Sequence, residues 1–161
     1  DNKVLYDFFQ TGTYDKNREF VLTTSPSMDI LISSNLERLI YLICGEDSEK
    51  TKELMEELKT TGKYTITPEM KEKLADFAAG YSTEEETAES IHDTYQKTGY
   101  VMDTHTAVAA HVCGQYRAKS GDQTKCVIAS TASPYKFVKS VMSAIDAENA
   151  NADEFDLLPK L

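Results

Sequence analysis

The sequence predicts a helix-rich α/β protein with few strands of its own. Apolar residues recur at a spacing of three and four along most of the 161 residues, whereas only two short stretches have the character of strands. The seven glycines stand singly, and most of them follow an apolar stripe, where a helix should end. A chain of this length is one domain or one piece of a larger domain.

Apolar stripes along the chain mark the expected helices. They are Val4, Leu5, Phe8 and Phe9; Leu36, Leu39, Ile40 and Ile43; Leu54, Met55 and Leu58; Met70, Leu74 and Phe77; Ala88, Ile91 and Tyr95; Val108, Val112 and Tyr116; and Phe137, Val141, Met142 and Ile145. Gly12, Gly45 and Gly62 are expected to end the first three helices. Expected N-caps are Thr67 before Pro68, Ser82 in a capping box with Glu85, Asp103 or Thr104, and Ser133 before Pro134.

Two stretches are predicted to be extended. Residues 125–129, KCVIA, form a short apolar run between turn residues, as in a strand buried on both faces. Residues 28–32 are a weaker candidate. Because two strands cannot complete a sheet, we expect them to join a sheet supplied by another part of a longer protein. A first residue of Asp1 rather than Met favours the same interpretation.

The charge of the chain disfavours two classes of partner. Lys and Arg number 17 against 27 Asp and Glu, a net charge of −10 that suits neither nucleic acid nor an anionic membrane surface. Residues 46–90 hold 13 acidic and 6 basic residues, which predicts a solvated helical subdomain there. No apolar run approaches the ~18–20 residues of a membrane helix, and the first residues lack the pattern of a secretory signal.

The cysteines and histidines suggest neither disulfides nor a metal site. Cys44, Cys113 and Cys126 form no Cys-x-x-Cys pair and are expected to be buried free thiols in a reducing compartment, which favours a cytoplasmic protein. His105 and His111 are six residues apart, so they do not match the spacing of two zinc ligands on one helix face. We expect no metal.

The strongest candidate site in the residues themselves follows the predicted strand 125–129. Ser130 and Thr131 stand between that strand and the helix expected at Pro134. In open α/β sheets, ligands bind beyond the carboxyl ends of the strands, and a helix N-terminus adds unpaired N–H groups. The alternative is a structural turn in which Ser133 caps the helix, and the spacing alone slightly favours this alternative.

Two further segments are weaker candidates. The segment Asp103-Thr104-His105-Thr106 lies in the first turn of an expected helix, where a structural role for His105 is the default. Ser33 and Asn35 also crowd a helix N-terminus, which is an ordinary cap unless it is turned toward an anion. The chain has no Gly-x-Ser-x-Gly, His-Glu-x-x-His, Walker or Gly-x-Gly-x-x-Gly motif, so the pattern predicts half of a site.

Four segments, in order along the chain, resemble the threonine synthases. They are LYDFFQTGTYDKNREF at 5–20, SPSMDILISSNLERL at 25–39, GYVMDTHTAVA at 99–109 and STASPYKFVKSV at 130–141. The resemblance is to the carboxyl-terminal part of these enzymes. The cofactor lysine and the loop that holds the cofactor phosphate are therefore expected upstream of this chain, and we predict that the chain alone is inactive and holds no catalytic residue.

The resemblance implies a piece of the tryptophan-synthase-β-like fold of pyridoxal-phosphate (PLP) enzymes. The family, a group of lyases, converts O-phospho-L-homoserine and water into L-threonine and phosphate. Thr131 stands where the family contacts the pyridine nitrogen of the cofactor, and Ser130 would support it. A neutral hydroxyl leaves that nitrogen largely unprotonated. The partners implied are the amino-terminal part of the same enzyme and the small-molecule substrate.

The resemblance also implies a set of substrate-binding residues. Ser33, Asn35 and Arg38 fall in SSNLER at 33–38, which resembles the family's Ser-Asn-x-Glu-Arg segment. His105 falls in a segment that is often Asp-Pro-His-Thr in the family. Here the segment reads Asp-Thr-His-Thr, which lacks the proline. The roles of its other members are left open beyond their proximity to the site.

The resemblance and the charge pattern together predict a division of the chain. Residues 1–45 and 99–145 are expected to belong to the large cofactor-binding domain, 99–145 as a strand–helix part. Residues 46–98 are expected to form an acidic helical subdomain or insertion, and residues 146–161 an acidic linker-like tail. Two alternatives remain, a non-catalytic helical interaction module and a different fold-type-II PLP enzyme, such as a relative of threonine dehydratase or cysteine synthase.

Overall fold

The structure, a computed structural model, describes residues 2–146, 148 and 152–161. Its regular elements, in chain order, are α1 (Val4–Thr11), β1 (Thr13–Asp15), α2 (Leu36–Ile43), α3 (Ser48–Thr61), β2 (Lys63–Thr65), α4 (Pro68–Glu72), α5 (Glu84–Thr98), α6 (Thr104–Ser120), α7 (Val138–Ile145) and α8 (Glu154–Leu157). Short 3-10 turns lie at Pro26–Met28, Pro134–Phe137 and Leu158–Lys160. The helix-rich character that the sequence predicts is confirmed.

The chain divides into two units, which are described separately. The α1–α4 unit comprises residues 2–21 and 29–79, and the α5–α8 unit comprises residues 22–28 and 80–161. Of the predicted tail 146–161, residues 147 and 149–151 lie outside the described residues. The boundaries predicted for an acidic subdomain at 46–98 stay a prediction.

A helix–glycine–strand motif occurs twice in the α1–α4 unit. Gly12 and Gly62, at φ values of +80° and +82°, end α1 and α3 and turn the chain directly into β1 and β2. These positive φ values are ones that only glycine adopts at little cost. The two strands pair antiparallel with Tyr14 opposite Tyr64, and these two buried rings stack at a centroid distance of 5.4 Å. The stacked pair lies at the centre of the unit.

The core of the α1–α4 unit gathers one face of each of its helices around the tyrosine pair. Phe8 of α1 lies with its ring centroid 6.0 Å from each of the two tyrosine rings and is fully buried. The rest of this core is Val4, Leu36, Ile40, Ile43, Leu54, Leu58, Ile66, Met70 and Leu74. The predicted stripes at 36–43 and 54–58 therefore supply the core, although Leu39 is only half-buried at its edge.

The α5–α8 unit packs α5, α6 and α7 around Ile91, Met102, Ala107 and Val141. Leu157 of α8 is fully buried against α7. Within the part of the chain that the structure describes, no helix combines the length and the apolar character needed to cross a membrane.

Neither predicted strand forms in this chain. Met28 ends a 3-10 turn, and residues 29–32 and 125–129 are irregular. Val127 is 93% exposed instead of buried on both faces. The apolar run predicts a segment suited to burial, but no strand among the described residues pairs with it. The strands that do form, β1 and β2, are only three residues long, too short to show an alternating pattern.

Several local predictions are also wrong in detail. The capping box uses Thr83 and Glu86, one residue later than predicted, because both registers match the motif and Ser82 instead bonds the Thr87 hydroxyl at 3.0 Å. Phe77 lies beyond the end of α4 and is exposed. Ser133 makes no side-chain cap hydrogen bond, since a 3-10 turn and not an α-helix begins at Pro134.

The cysteines are less buried than predicted. Cys44 and Cys113 are only partly buried. Cys126 is exposed because residues 125–129 are not covered by a sheet. The Sγ atoms of Cys113 and Cys126 lie 3.1 Å apart, which places the irregular segment against α6.

Candidate functional site

The N-terminus of α6 is built around one buried carboxylate. Asp103 is fully buried and caps the helix by accepting hydrogen bonds from the backbone N–H groups of His105, at 2.8 Å, and Thr106, at 3.3 Å. Its Oδ1 also lies 3.2 Å from Nδ1 of His105, and its Oδ2 accepts a short bond from the Thr106 hydroxyl. Both carboxylate oxygens are therefore used within the first turn of α6.

Asp103 stays ionised at neutral pH despite its burial. Burial raises the pKa of a carboxyl group, but the hydrogen bonds from Thr106 and His105 favour the charged form. These bonds outweigh burial, so the pKa of Asp103 lies below its ordinary value. The site thus contains a fixed negative charge that acts only as an acceptor.

His105 is held on both ring nitrogens. The backbone N–H of Ser27 donates to Nε2 at 3.0 Å, so Nε2 is an acceptor and, in the neutral ring, Nδ1 carries the proton and faces Asp103. The ring is buried, and its centroid lies 4.8 Å from that of Phe137. These contacts suit a histidine that fastens the segment 22–28 to α6. A contact between His105 and a substrate stays a prediction, and it would require one of these bonds to break.

Ser130 is tied to α6, and Thr131 is not. The hydroxyls of Ser130 and Thr106 lie 2.9 Å apart. Both Ser130 and Thr131 are exposed, and the Thr131 side chain makes no hydrogen bond to any residue that the structure describes. The predicted site therefore presents one anchored hydroxyl and one free hydroxyl, next to each other in the chain.

Three contacts hold the segment 124–130 along one face of α6. They join the Arg117 side chain to the Thr124 carbonyl at 2.6 Å, Cys113 to Cys126, and Thr106 to Ser130. The helix residues are seven and four apart, which places them on one face, and the order of the contacts makes the segment run antiparallel to α6. The fold thereby delivers Ser130 and Thr131 to the N-terminal end of the helix.

Ser33, Asn35 and Arg38 belong to the other unit. Asn35 and Arg38 are exposed and line an open cleft of about 860 Å³ between α2 and α3, to which Lys52 and Glu56 also contribute. Asn35 precedes α2 but makes no side-chain cap bond. Ser33 does not line the cleft, and its backbone N–H donates to the Tyr14 hydroxyl at 2.8 Å.

The sequence predicts the segment that holds Asp103 and Thr106 as a candidate site, but it leaves the roles of these two residues open. The sequence predicts Asp103 as a cap of α6, which needs only one carboxylate oxygen. The bond of the second oxygen to the Thr106 hydroxyl is not predicted by the cap pattern. The bond from Thr106 to Ser130 joins residues 24 positions apart, and no local pattern predicts it. Within the described residues there is no group of three or more His, Cys, Asp or Glu side chains that could hold a metal ion.

The chain is similar to known proteins over nearly its whole length. The family model for the carboxyl-terminal region of threonine synthase matches residues 106–161. The crystal structure of PLP-bound threonine synthase from Brucella melitensis superposes with a TM-score of 0.82 at 36% identity and covers 99% of this chain. This chain corresponds to the carboxyl-terminal part of the threonine synthase fold. The resemblance and the fold class that the sequence predicts are confirmed.

Further relatives of the threonine synthase fold support this correspondence. The yeast threonine synthase structure also superposes with a TM-score of 0.82, at 31% identity over 99% of this chain. The threonine synthase of Saccharomyces cerevisiae is 34% identical over 99% of this chain, and threonine synthase-like 1 of Macaca fascicularis is 38% identical over 93%. The chain spans about a third of the synthases and a fifth of the synthase-like relative.

Proposed function

We propose that this chain is the carboxyl-terminal part of a PLP-dependent lyase that converts O-phospho-L-homoserine and water into L-threonine and phosphate. The observation that carries the proposal is the match of nearly the whole chain to a PLP-bound threonine synthase, combined with the exposed hydroxyls of Ser130 and Thr131. The partner is the amino-terminal part of the same protein, and the location is cytoplasmic. The chain alone is inactive.

The donor chemistry of the site fits the cofactor. When bound, PLP supplies an electron-withdrawing ring that stabilises negative charge developing on the substrate. Thr131 presents a free neutral hydroxyl, which can donate to an unprotonated ring nitrogen without transferring a full charge to it. Ser130 lies beside it and is held in place by Thr106. The residues that hold the cofactor phosphate and its carbonyl carbon belong to the amino-terminal part.

For the substrate we propose contacts from Ser33, Asn35, Arg38 and His105. The guanidinium of Arg38 suits a phosphate or carboxylate group, since its N–H donors form paired, charge-assisted bonds to such anions. Arg38 and Asn35 are exposed side by side on the cleft between α2 and α3, so both are accessible to a ligand. We also propose that residues 1–45 and 99–145 belong to the cofactor-binding domain, residues 46–98 to an acidic subdomain and residues 146–161 to a linker-like tail.

The test compares the 161-residue chain with the longer protein that contains an amino-terminal part as well. We expect the longer protein to bind PLP, measured by absorbance titration, and to release inorganic phosphate from O-phosphohomoserine. The chain alone should do neither. PLP binding without phosphate release would remove the proposed reaction but not the cofactor, whereas stoichiometric PLP attachment to one lysine of the chain alone would contradict the division of the site.

A second candidate function is a non-catalytic relative of the synthases. The identities of 38–40% to threonine synthase-like 1 proteins of macaque, orangutan and human keep this candidate open, because these relatives are named for a likeness to the synthase. The sequence upstream of this chain distinguishes the two. A segment with the cofactor lysine supports the enzyme, and its replacement by another residue supports the non-catalytic relative.

A further inference from the structure

The Tyr14 hydroxyl joins the core of the α1–α4 unit to the segment that precedes α2. Tyr14 is almost completely buried, and its hydroxyl donates to the Leu31 carbonyl at 2.9 Å. The same oxygen accepts a bond from the Ser33 backbone N–H at 2.8 Å. Both directions are fixed, because a carbonyl can only accept and a backbone N–H can only donate. One buried side chain therefore satisfies two backbone groups of an irregular segment.

The connection continues from Ser33 into α2. The Ser33 carbonyl accepts from the backbone N–H of Leu36 at 3.2 Å, and the Asn35 carbonyl accepts from that of Arg38 at 3.3 Å. Leu36 is the first residue of α2 and is buried in the same core as Tyr14. Ser33 is therefore held on its N–H by Tyr14 and on its carbonyl by the start of α2. The exposed side chains of Asn35 and Arg38 follow directly in the chain.

The two stacked tyrosines differ in their hydroxyls. Tyr14 and Tyr64 face each other across the strand pair and are equally buried, so both rings contribute to the core. The Tyr64 hydroxyl, in contrast, bonds no residue that the structure describes. Packing accounts for both rings but not for the two bonds of one hydroxyl. Burial raises the pKa of Tyr14, so this hydroxyl keeps its proton and remains a donor at neutral pH.

We propose that Tyr14 is a positioning residue whose hydroxyl sets the place of Asn35 and Arg38 on the cleft between α2 and α3. The side chains of Asn35 and Arg38 bond no residue that the structure describes, so their place depends on the backbone that carries them. Tyr14 holds that backbone immediately before α2. The substrate contacts of the cleft rest on the proposed function, whereas the positioning of the backbone does not.

The first experiment measures amide hydrogen exchange in the 161-residue chain and needs no ligand. In the wild type, the Ser33 amide should be protected, and the Ser34 amide, which bonds no described residue, should not be. Tyr14→Phe keeps the ring and removes the acceptor, so the Ser33 amide should exchange about five- to tenfold faster. Tyr64→Phe is the matched control and should leave this amide unchanged. An equal change in the two variants would overturn the proposal.

The second experiment measures KM and kcat for O-phosphohomoserine in the longer protein. We expect Tyr14→Phe to raise KM about five- to tenfold and to keep kcat within about twofold, because a displaced binding segment weakens substrate and transition state alike. Tyr64→Phe should change neither constant. A KM within about twofold of wild type in Tyr14→Phe, together with a raised KM in Arg38→Ala, would refute the positioning role and leave the proposed function intact.

Three further outcomes separate the positioning role from the proposed function. If the longer protein releases no phosphate, the proposed function fails, and the exchange of the Ser33 amide decides the positioning of the backbone alone. An unchanged KM in Arg38→Ala would show that the cleft does not bind the substrate and would overturn the proposal. If Tyr14→Phe does not fold, the wild-type chain still provides the test, since a Ser33 amide no better protected than that of Ser34 would overturn it.

Discussion

Ile40 and its neighbour Leu39 give a sharp test of how the α1–α4 unit is packed. Ile40 is fully buried in the core, whereas Leu39 is only half-buried at its edge. Truncating Ile40 to alanine removes three buried carbon atoms at about 0.8 kcal/mol each and leaves a cavity. We therefore expect Ile40→Ala to lower the free energy of unfolding by about 3–4 kcal/mol and Leu39→Ala by about 1–2 kcal/mol.

The assay is urea unfolding of the 161-residue chain, followed by near-ultraviolet circular dichroism. The stacked rings of Tyr14 and Tyr64 lie inside the same core, so their signal reports on this unit. The slope of the transition should be unchanged, because the surface exposed on unfolding is nearly the same. Equal losses for the two variants, or a loss below about 0.5 kcal/mol for Ile40→Ala, would refute the packing described here.

Three other predictions concern the ends of the helices. In urea unfolding, Gly62→Ala should lower the free energy of unfolding by about 2–3 kcal/mol and Gly99→Ala by about 1 kcal/mol. Both glycines have a positive φ, which strains any residue with a Cβ. The Cβ added at Gly62 would also overlap the side-chain amide of Asn17, whereas the Cβ added at Gly99 would meet no atom within 4 Å. Glu86→Ala should cost about 0.5–1 kcal/mol by the same measurement, because it removes half of the capping box of α5. The lowered pKa of Asp103 stabilises the fold above the ordinary pKa of an aspartate, and this stability is lost as the pH falls through the folded-state value. Asp103→Asn should therefore flatten the acid limb of a plot of melting temperature against pH, and an unaltered limb would contradict this assignment.

The helices could be predicted from the sequence because their signals are local. The stripe that begins at Val4 ends at Gly12, as predicted, since a few apolar positions and one glycine specify both the buried face and the end of α1. Where two registers fit one motif, as at Ser82 and Thr83, the local pattern cannot choose between them.

The strands could not be predicted, although a signal for them exists. Thr11-Gly12-x-Tyr14 and Thr61-Gly62-x-Tyr64 repeat the same pattern, and in each the threonine hydroxyl donates to the carbonyl four residues earlier and accepts from the residue after the glycine. Recognising this repeat would have placed both tyrosines in the core. The prediction of a buried strand at 125–129 was wrong, because an apolar run indicates that a segment can be buried but does not indicate which surface covers it.

The candidate site could be predicted only in part. Ser130 and Thr131 stand out locally as polar residues between an apolar run and a proline-led turn. The bond that ties Ser130 to α6 comes from Thr106, which also bonds Asp103 and lies 24 residues earlier in the chain. Contacts of that kind depend on the packing of a segment against a helix and have no local pattern.

The hydroxyl of Thr131 is the feature on which the proposed function depends most directly. The decisive measurement is phosphate release from O-phosphohomoserine by the longer protein carrying Thr131→Val or Thr131→Ser. Loss of a hydrogen bond to a buried acceptor costs about 1–3 kcal/mol, so the valine variant should turn over roughly one to two decades more slowly and the serine variant should retain most activity. Ser133→Ala is the control, because Ser133 makes no cap bond and should change neither stability nor turnover. Equal turnover of the valine and serine variants would contradict a cofactor role for Thr131.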